Sequence, residues 1–146
     1  MNALDYASFF ENITNNTSIN EYEKVLDAEA KFKDPFHEVV GIEKIYDIFQ
    51  DMYKKLDNPK FKIKEVIEQG NIAYIRWDFE FKFKNTTKQE SFEGISRIEF
   101  NKINDENKEN KKVISHIDYW DTAENLYEKI PILSSFIKFI KRKIKN

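Results

Sequence analysis

The stretch Ile72 to Lys84 sorts its residues with a period of two: Ala73, Ile75, Trp77, Phe79, Phe81 and Phe83 on one side, Arg76, Asp78, Glu80 and Lys82 on the other. An extended strand sorts residues this way, because its successive side chains point to opposite faces. A strand with one apolar and one charged face belongs to a sheet that is covered on one side. The neighbouring segments Phe61 to Gln69 and Gln89 to Asn101 also read as strands, and Gly70-Asn71 and Asn85-Thr86-Thr87-Lys88 are short enough to join all three as antiparallel hairpins. A last strand is expected over Val113 to Trp120. The polar run Asn101 to Lys112 before it reads as a solvated, mobile hairpin loop.

The cover for such a sheet comes earlier in the chain. Tyr6, Phe9, Phe10 and Ile13 have helical spacing, and a second short helix begins at Ser18, where Ser18 and Glu21 have the spacing of a capping box. Ala28 to Phe36 reads as a short strand stopped by Pro35, with Phe32 and Asp34 on one face. From Ile42, the set Ile45, Ile48, Phe49, Met52, Tyr53 and Leu56 marks the longest amphipathic helix. After the last strand, Asp121 and Glu124 again have capping-box spacing, for a helix through Lys129. Pro131 then breaks the chain before a terminal helix over Ile132 to Lys145. Helices followed by a run of strands predict one α+β domain over residues 1–146, with helices on one face of a bent sheet and 131–146 as an added amphipathic helix.

Composition narrows the function. The formal charge is -2, which gives no general attraction to phosphate backbones, so no nucleic acid is expected as partner. There is no cysteine, hence no disulfide and no thiolate nucleophile. Neither His has metal-ligand spacing with another, so no metal is expected, and no cofactor is expected because an acid and a base suffice for enolisation. The N-terminal stretch lacks a basic start followed by an apolar run, no run of about 18 apolar residues occurs, and a cytoplasmic location is expected.

The order of elements, with Asp34-Pro35-Phe36, Trp77-Asp78-Phe79, Phe92-Glu93-Gly94 and His116-Ile117-Asp118-Tyr119-Trp120-Asp121, resembles the SnoaL-like members of the nuclear transport factor 2-like superfamily over nearly the whole chain. The resemblance implies a cone-shaped, curved antiparallel sheet with a pocket at its open end. It also implies a dimer formed through the sheet and, in some members, a cyclase, isomerase or dehydratase using a pocket Asp or His. Asp34 matches the family's acidic position after the first strand, and His116 and Asp118 match polar positions on the last. A Tyr and Asp pair of the ketosteroid isomerase kind is not evident.

Three residues are candidate acids and bases. On a strand His116 and Asp118 share a face about 6.5 to 7 Å apart, near enough for the carboxylate to orient the imidazole. The opposite set, Val113, Ser115, Ile117 and Tyr119, is at least as apolar, so alternation leaves open which face meets the core. Asp34 reads either as a second pocket carboxylate or as the residue that turns the chain before Pro35. Trp77, Trp120, Phe36 and Phe79 are the expected pocket walls, and His37 is expected at the surface. Arg76, Asp78, Glu93, Arg97 and Glu99 read as an outer face with charges paired across strands. The expected ligand is a small hydrophobic or cyclic molecule, acted on by cofactor-free proton transfer; the alternative is a non-catalytic ligand-binding or protein-interaction module, dimeric through its sheet. The terminal stripe Leu133, Phe136, Ile137, Ile140 and Ile144, with Lys138, Lys141, Arg142 and Lys145 facing away, suits either docking on the cone or an anionic membrane surface.

Overall fold

The computed structural model describes residues 1–104, 106, 110–122 and 139–145. In chain order these form α1 (Ala3–Asn12), α2 (Ile19–Val25), β1 (Leu26–Lys33), β2 (Glu38–Val40), α3 (Ile42–Lys55), β3 (Leu56–Gln69), β4 (Ile72–Phe83), β5 (Glu90–Phe100) and β6 (Val113–Tyr119). Residues 139–145 are helical and belong to the expected C-terminal helix. The helix expected over Asp121 to Lys129 and the break at Pro131 lie almost wholly outside the described residues.

The strands form one curved, unclosed sheet in the order β2-β1-β6-β5-β4-β3. All neighbouring pairs are antiparallel except β1 with β6, where the first long strand lies parallel to the last. This parallel pair, which hairpin logic does not foresee, brings Phe32 opposite His116. The helices pack on the inner face, where Tyr6, Phe10, Tyr22, Ile45 and Phe49 meet Phe32, Ile75, Trp77, Ile98 and Phe100 in one apolar core. On the outer face the charges pair across strands as expected: Lys62 with Glu80, Lys64 with Asp78, and Arg76 with both Glu65 and Glu93.

Several boundaries differ from expectation for local reasons. Ser18 is the N-cap of α2, but its side chain makes no capping bond. The capping box is at α1 instead, where Asn2 and Asp5 bond each other's backbone amides. β1 starts at Leu26 and stops at Lys33, because the Asp34 carboxylate accepts from the amides of Phe36 and His37 and closes a turn. That turn leads into β2, a strand of three residues. β3 begins at Leu56 rather than Phe61: Asn58 takes a left-handed backbone, φ 49°, and the register shifts between Asp57 and Lys60, so Pro59 sits in a bulge rather than ending the strand.

One glycine is required by close approach. Gly94 of β5 is paired with Trp77 of β4, and a Cβ at position 94 would run into the Trp77 six-membered ring. The indole lies flat over the neighbouring strand because that strand offers no side chain there, and this aims the ring nitrogen at Ser96.

Candidate active site and ligand cavity

The inner face of β4, β5 and β6 carries a buried polar chain. Trp77 Nε1 donates to Ser96 Oγ at 2.8 Å, and Ser96 Oγ donates in turn to Asp118 Oδ1. The same Oδ1 lies 2.7 Å from His116 Nε2, and His116 Nδ1 lies 2.8 Å from the hydroxyl of Tyr6. An indole N–H can only donate, so the Ser96 oxygen accepts and its proton points to Asp118. With Asp118 ionised, Nε2 carries a hydrogen, and Nδ1 accepts from Tyr6. Burial, and after it the charge of Asp118, hold the Tyr6 hydroxyl well above the ordinary tyrosine range, so it stays protonated as that donation requires.

His116 is only 4% exposed, and its ring is flanked by Phe10 and Phe32 with centroids 5.0 and 5.1 Å away. The question that alternation left open is thereby resolved: His116, Asp118 and Trp120 share the inner face, and Tyr119 is exposed on the other. Both ring nitrogens of His116 are engaged inside the protein. Asp118 differs, because both of its bonds end on Oδ1 and its Oδ2 accepts neither.

Asp118 lines two spaces. One is a small void of about 20 Å³ between Trp77, His116 and the α1 side chains Ala7 and Phe10, apolar in most of its lining. The other is a cavity of about 490 Å³ that opens between α3 and the sheet. Aromatic rings dominate its wall, among them Phe61, Trp77, Phe79, Phe92 and Trp120, with Asp118 among the few charged groups that reach it. Trp120 stacks on Phe92 at 4.4 Å with 23° between the planes, and meets Phe36 edge-on at 5.6 Å.

All four expected wall residues, Trp77, Trp120, Phe36 and Phe79, line this cavity, as do Asp34 and His37. His116 does not border it. Asp34 lines the cavity, and its Oδ1 also accepts from two backbone amides and from His37 Nδ1 at 3.0 Å, which is the turn-forming role expected before Pro35. His37 is at the surface as expected. Sequence reasoning missed Ser96 and the Tyr6 hydroxyl. The signal for both was a hydroxyl on an otherwise apolar face, which needs a buried partner. Among the described residues no three His, Asp or Glu side chains stand close enough to hold a metal, and no helix is long and apolar enough to cross a membrane.

The SnoaL-like domain family matches residues 6–105. The chain belongs to that family. No curated protein matches the sequence. Among solved structures, this SnoaL-like domain is similar to a hypothetical protein with a ketosteroid isomerase-like fold from Catenulispora acidiphila, in complex with trimethylamine, at a TM-score of 0.69 and 13% identity over 86% of this chain and 92% of that one. It is also similar to a protein of unknown function from Burkholderia pseudomallei, described as NTF2-like (TM-score 0.68, 12% identity, 85% and 94% covered). A third is an LEH-like epoxide hydrolase of M. tuberculosis (TM-score 0.63, 14% identity, 84% and 85% covered). At these identities the likeness shows the fold alone.

Proposed function

We propose that this SnoaL-like domain binds a small, flat, largely apolar molecule in the aromatic cavity, and that Asp118 takes a proton from it. One observation carries the reading: in the wall of a cavity of about 490 Å³, a carboxylate is held by one oxygen and leaves the other outside those bonds. Bonds from Ser96 and His116 fix the carboxylate plane, so the base needs little reorganisation when a C–H or O–H comes within reach. A proton taken at one atom and returned at another suffices for an isomerisation, cyclisation or dehydration without a cofactor. In this reading His116 is a positioning residue that acts through Asp118, with Tyr6 holding its tautomer. Asp34, with one oxygen committed to the β1–β2 turn, shapes the rim.

A panel of cyclic ketones and aromatic acids, screened by thermal shift, tests the binding. For any compound that binds, loss of its exchangeable C–H signal in deuterated water tests the chemistry. Wild type is expected to exchange, and Asp118→Asn to bind without exchanging. Exchange undiminished in Asp118→Asn would sink the proton-transfer role. Binding with no exchange in either protein would leave a ligand carrier, a reading favoured by the internal pairing of both His116 nitrogens.

The same reading includes a homodimer through the outer sheet face, supported by the exposed Ile67, Tyr74, Ile95 and Tyr119 among the cross-strand ion pairs. Light scattering that returns a monomer at high concentration would count against it. A cytoplasmic location belongs with this proposal, tested by fractionating the cells that make the protein.

A further inference from the structure

The chain's charge is unevenly placed. Residues 129–146 hold six of the 24 Lys and Arg and none of the 26 Asp and Glu, leaving 18 against 26, a net -8, on everything before them. Within that segment the described helical residues 139–145 show Phe139 at 49%, Ile140 at 37% and Ile144 at 79% exposure. Ile144 is thus mostly uncovered, and Phe139 and Ile140 are covered only in part, so the described part of this helix keeps apolar surface facing out.

Spacing shows what the stripe suits. At 100° per residue, Phe139, Ile140 and Ile144 fall within one arc of about 140°, and Arg142 and Lys145 on the other side. Lys143 interrupts the apolar arc, with its Nζ 5.7 Å from the centre of the Phe139 ring. A lysine there can lay its stem along the apolar face and lift its ammonium to the headgroups. Apolar residues on one side, basic residues on the other and no acidic residue is the pattern of a helix lying in the plane of a bilayer interface.

We propose that the C-terminal helix binds the surface of an anionic lipid bilayer and tethers the domain there. The negative body does not oppose this, because charges more than a Debye length of about 8 Å from the surface are screened at physiological salt. The proposal is independent of the cavity and its chemistry.

The test is co-sedimentation of the full chain with vesicles of phosphatidylcholine alone and of phosphatidylcholine mixed with phosphatidylglycerol. Binding is expected on the mixed vesicles only, and it is expected to weaken as salt is raised. Each basic residue near an anionic leaflet raises partitioning about fivefold, so Arg142→Gln, Lys143→Gln and Lys145→Gln together are expected to lower it about 100-fold. Ile140→Ser with Ile144→Ser is expected to lower it at least tenfold, roughly, through lost apolar insertion. All five positions lie outside the core, so folding is checked by an unchanged melting midpoint. In Phe139→Trp, indole emission is expected to shift to the blue on mixed vesicles alone. Equal binding to both vesicle types, no binding to the mixed ones, or an oligomer that Ile144→Ser dissolves would overturn the proposal, the last by assigning the stripe to a second copy of this chain.

Discussion

Tyr6 and Tyr22 offer a paired test of the buried chain. Both side chains are 0% exposed, and both rings pack edge-on against phenylalanines. Tyr6 gives its hydroxyl to His116 Nδ1 at 2.8 Å, whereas the Tyr22 hydroxyl has no partner among the described residues. Replacing either by Phe keeps the ring and removes one oxygen, so apolar burial hardly changes and the hydrogen bond decides the sign. Tyr6→Phe strands a buried imidazole nitrogen and is expected to cost about 1–3 kcal/mol, a fall of roughly 3–9 °C in the melting midpoint for a chain of this size. Tyr22→Phe removes a buried hydroxyl that gains nothing from the fold, and is expected to be neutral or to stabilise by up to ~1 kcal/mol. Urea denaturation of the three proteins at pH 7 gives both values. If Tyr6→Phe is as stable as wild type, the bond to His116 contributes nothing to the fold. If Tyr22→Phe falls as far as Tyr6→Phe, its hydroxyl has a partner and the contrast fails.

The same pair predicts a pH dependence. Burial raises both hydroxyls above the ordinary value near 10, and it raises Tyr53 to about 12. The folded protein therefore keeps these protons at pH values where the unfolded chain has lost them. Stability from this source is intact below about pH 10 and is lost as pH rises beyond it, with a slope of up to ~1.4 kcal/mol per pH unit for each tyrosine still protonated. Each Tyr→Phe variant is expected to flatten the alkaline limb by one tyrosine's share, so that only the neutral-pH values separate Tyr6 from Tyr22.

Three further outcomes are expected. Gly94→Ala forces the Trp77 ring away from Ser96 and is expected to cost about 1–3 kcal/mol in urea denaturation, with a change in the near-ultraviolet signal of the indole. Trp120→Ala removes a half-buried stacking partner of Phe92, and is expected to reduce the thermal shift given by a cavity ligand while costing less than about 2 kcal/mol of stability. Burial alone would raise the pKa of Glu68, but hydrogen bonds from Lys111 and the Ala3 amide bring it below its ordinary 4.5. Its contribution is present above that pH and lost as pH falls through the lowered value, so Glu68→Gln is expected to flatten the acid limb of the stability curve.

The sheet was legible because its strands carry their own evidence. Six residues alternating in β4 fix its inner face, and the two hairpin partners follow from short turns. Features that depend on a distant partner were not legible. Ser115, Ile117 and Tyr119 form a set as apolar as that of His116, and what selects the inner face of β6 is the pairing of His116 with Ile98 and the arrival of Tyr6 from α1, while Val113 leaves the outer set to join the core through the register shift between Glu99 and Phe100. Helical spacing placed Tyr6 on an apolar face, but nothing local says that its oxygen meets a residue 110 positions later. β2 has too few residues to show a period, and Asn58-Pro59 reads as a break because a bulge looks like one in sequence.

The polar chain also explains why an aromatic cavity can contain a carboxylate at all. A charge facing apolar walls is costly unless bonded, and Asp118 receives a hydroxyl and an imidazole N–H on a single oxygen. Every donor in the chain is in turn oriented by another group: Ser96 by the Trp77 N–H, and His116 by the Tyr6 hydroxyl. Trp77 keeps its place because position 94 has no side chain, and Tyr6 keeps its place because α1 is capped and tied to β3 through Glu68 and the Ala3 amide. The direction in which Asp118 presents its free oxygen is thus set by a glycine on one strand and a helix cap at the start of the chain. On the proposed reading, Gly94→Ala and Tyr6→Phe are each expected to lower proton exchange of a bound ligand although neither residue borders the large cavity, and exchange at the wild-type rate in both would break the link between this chain of bonds and Asp118.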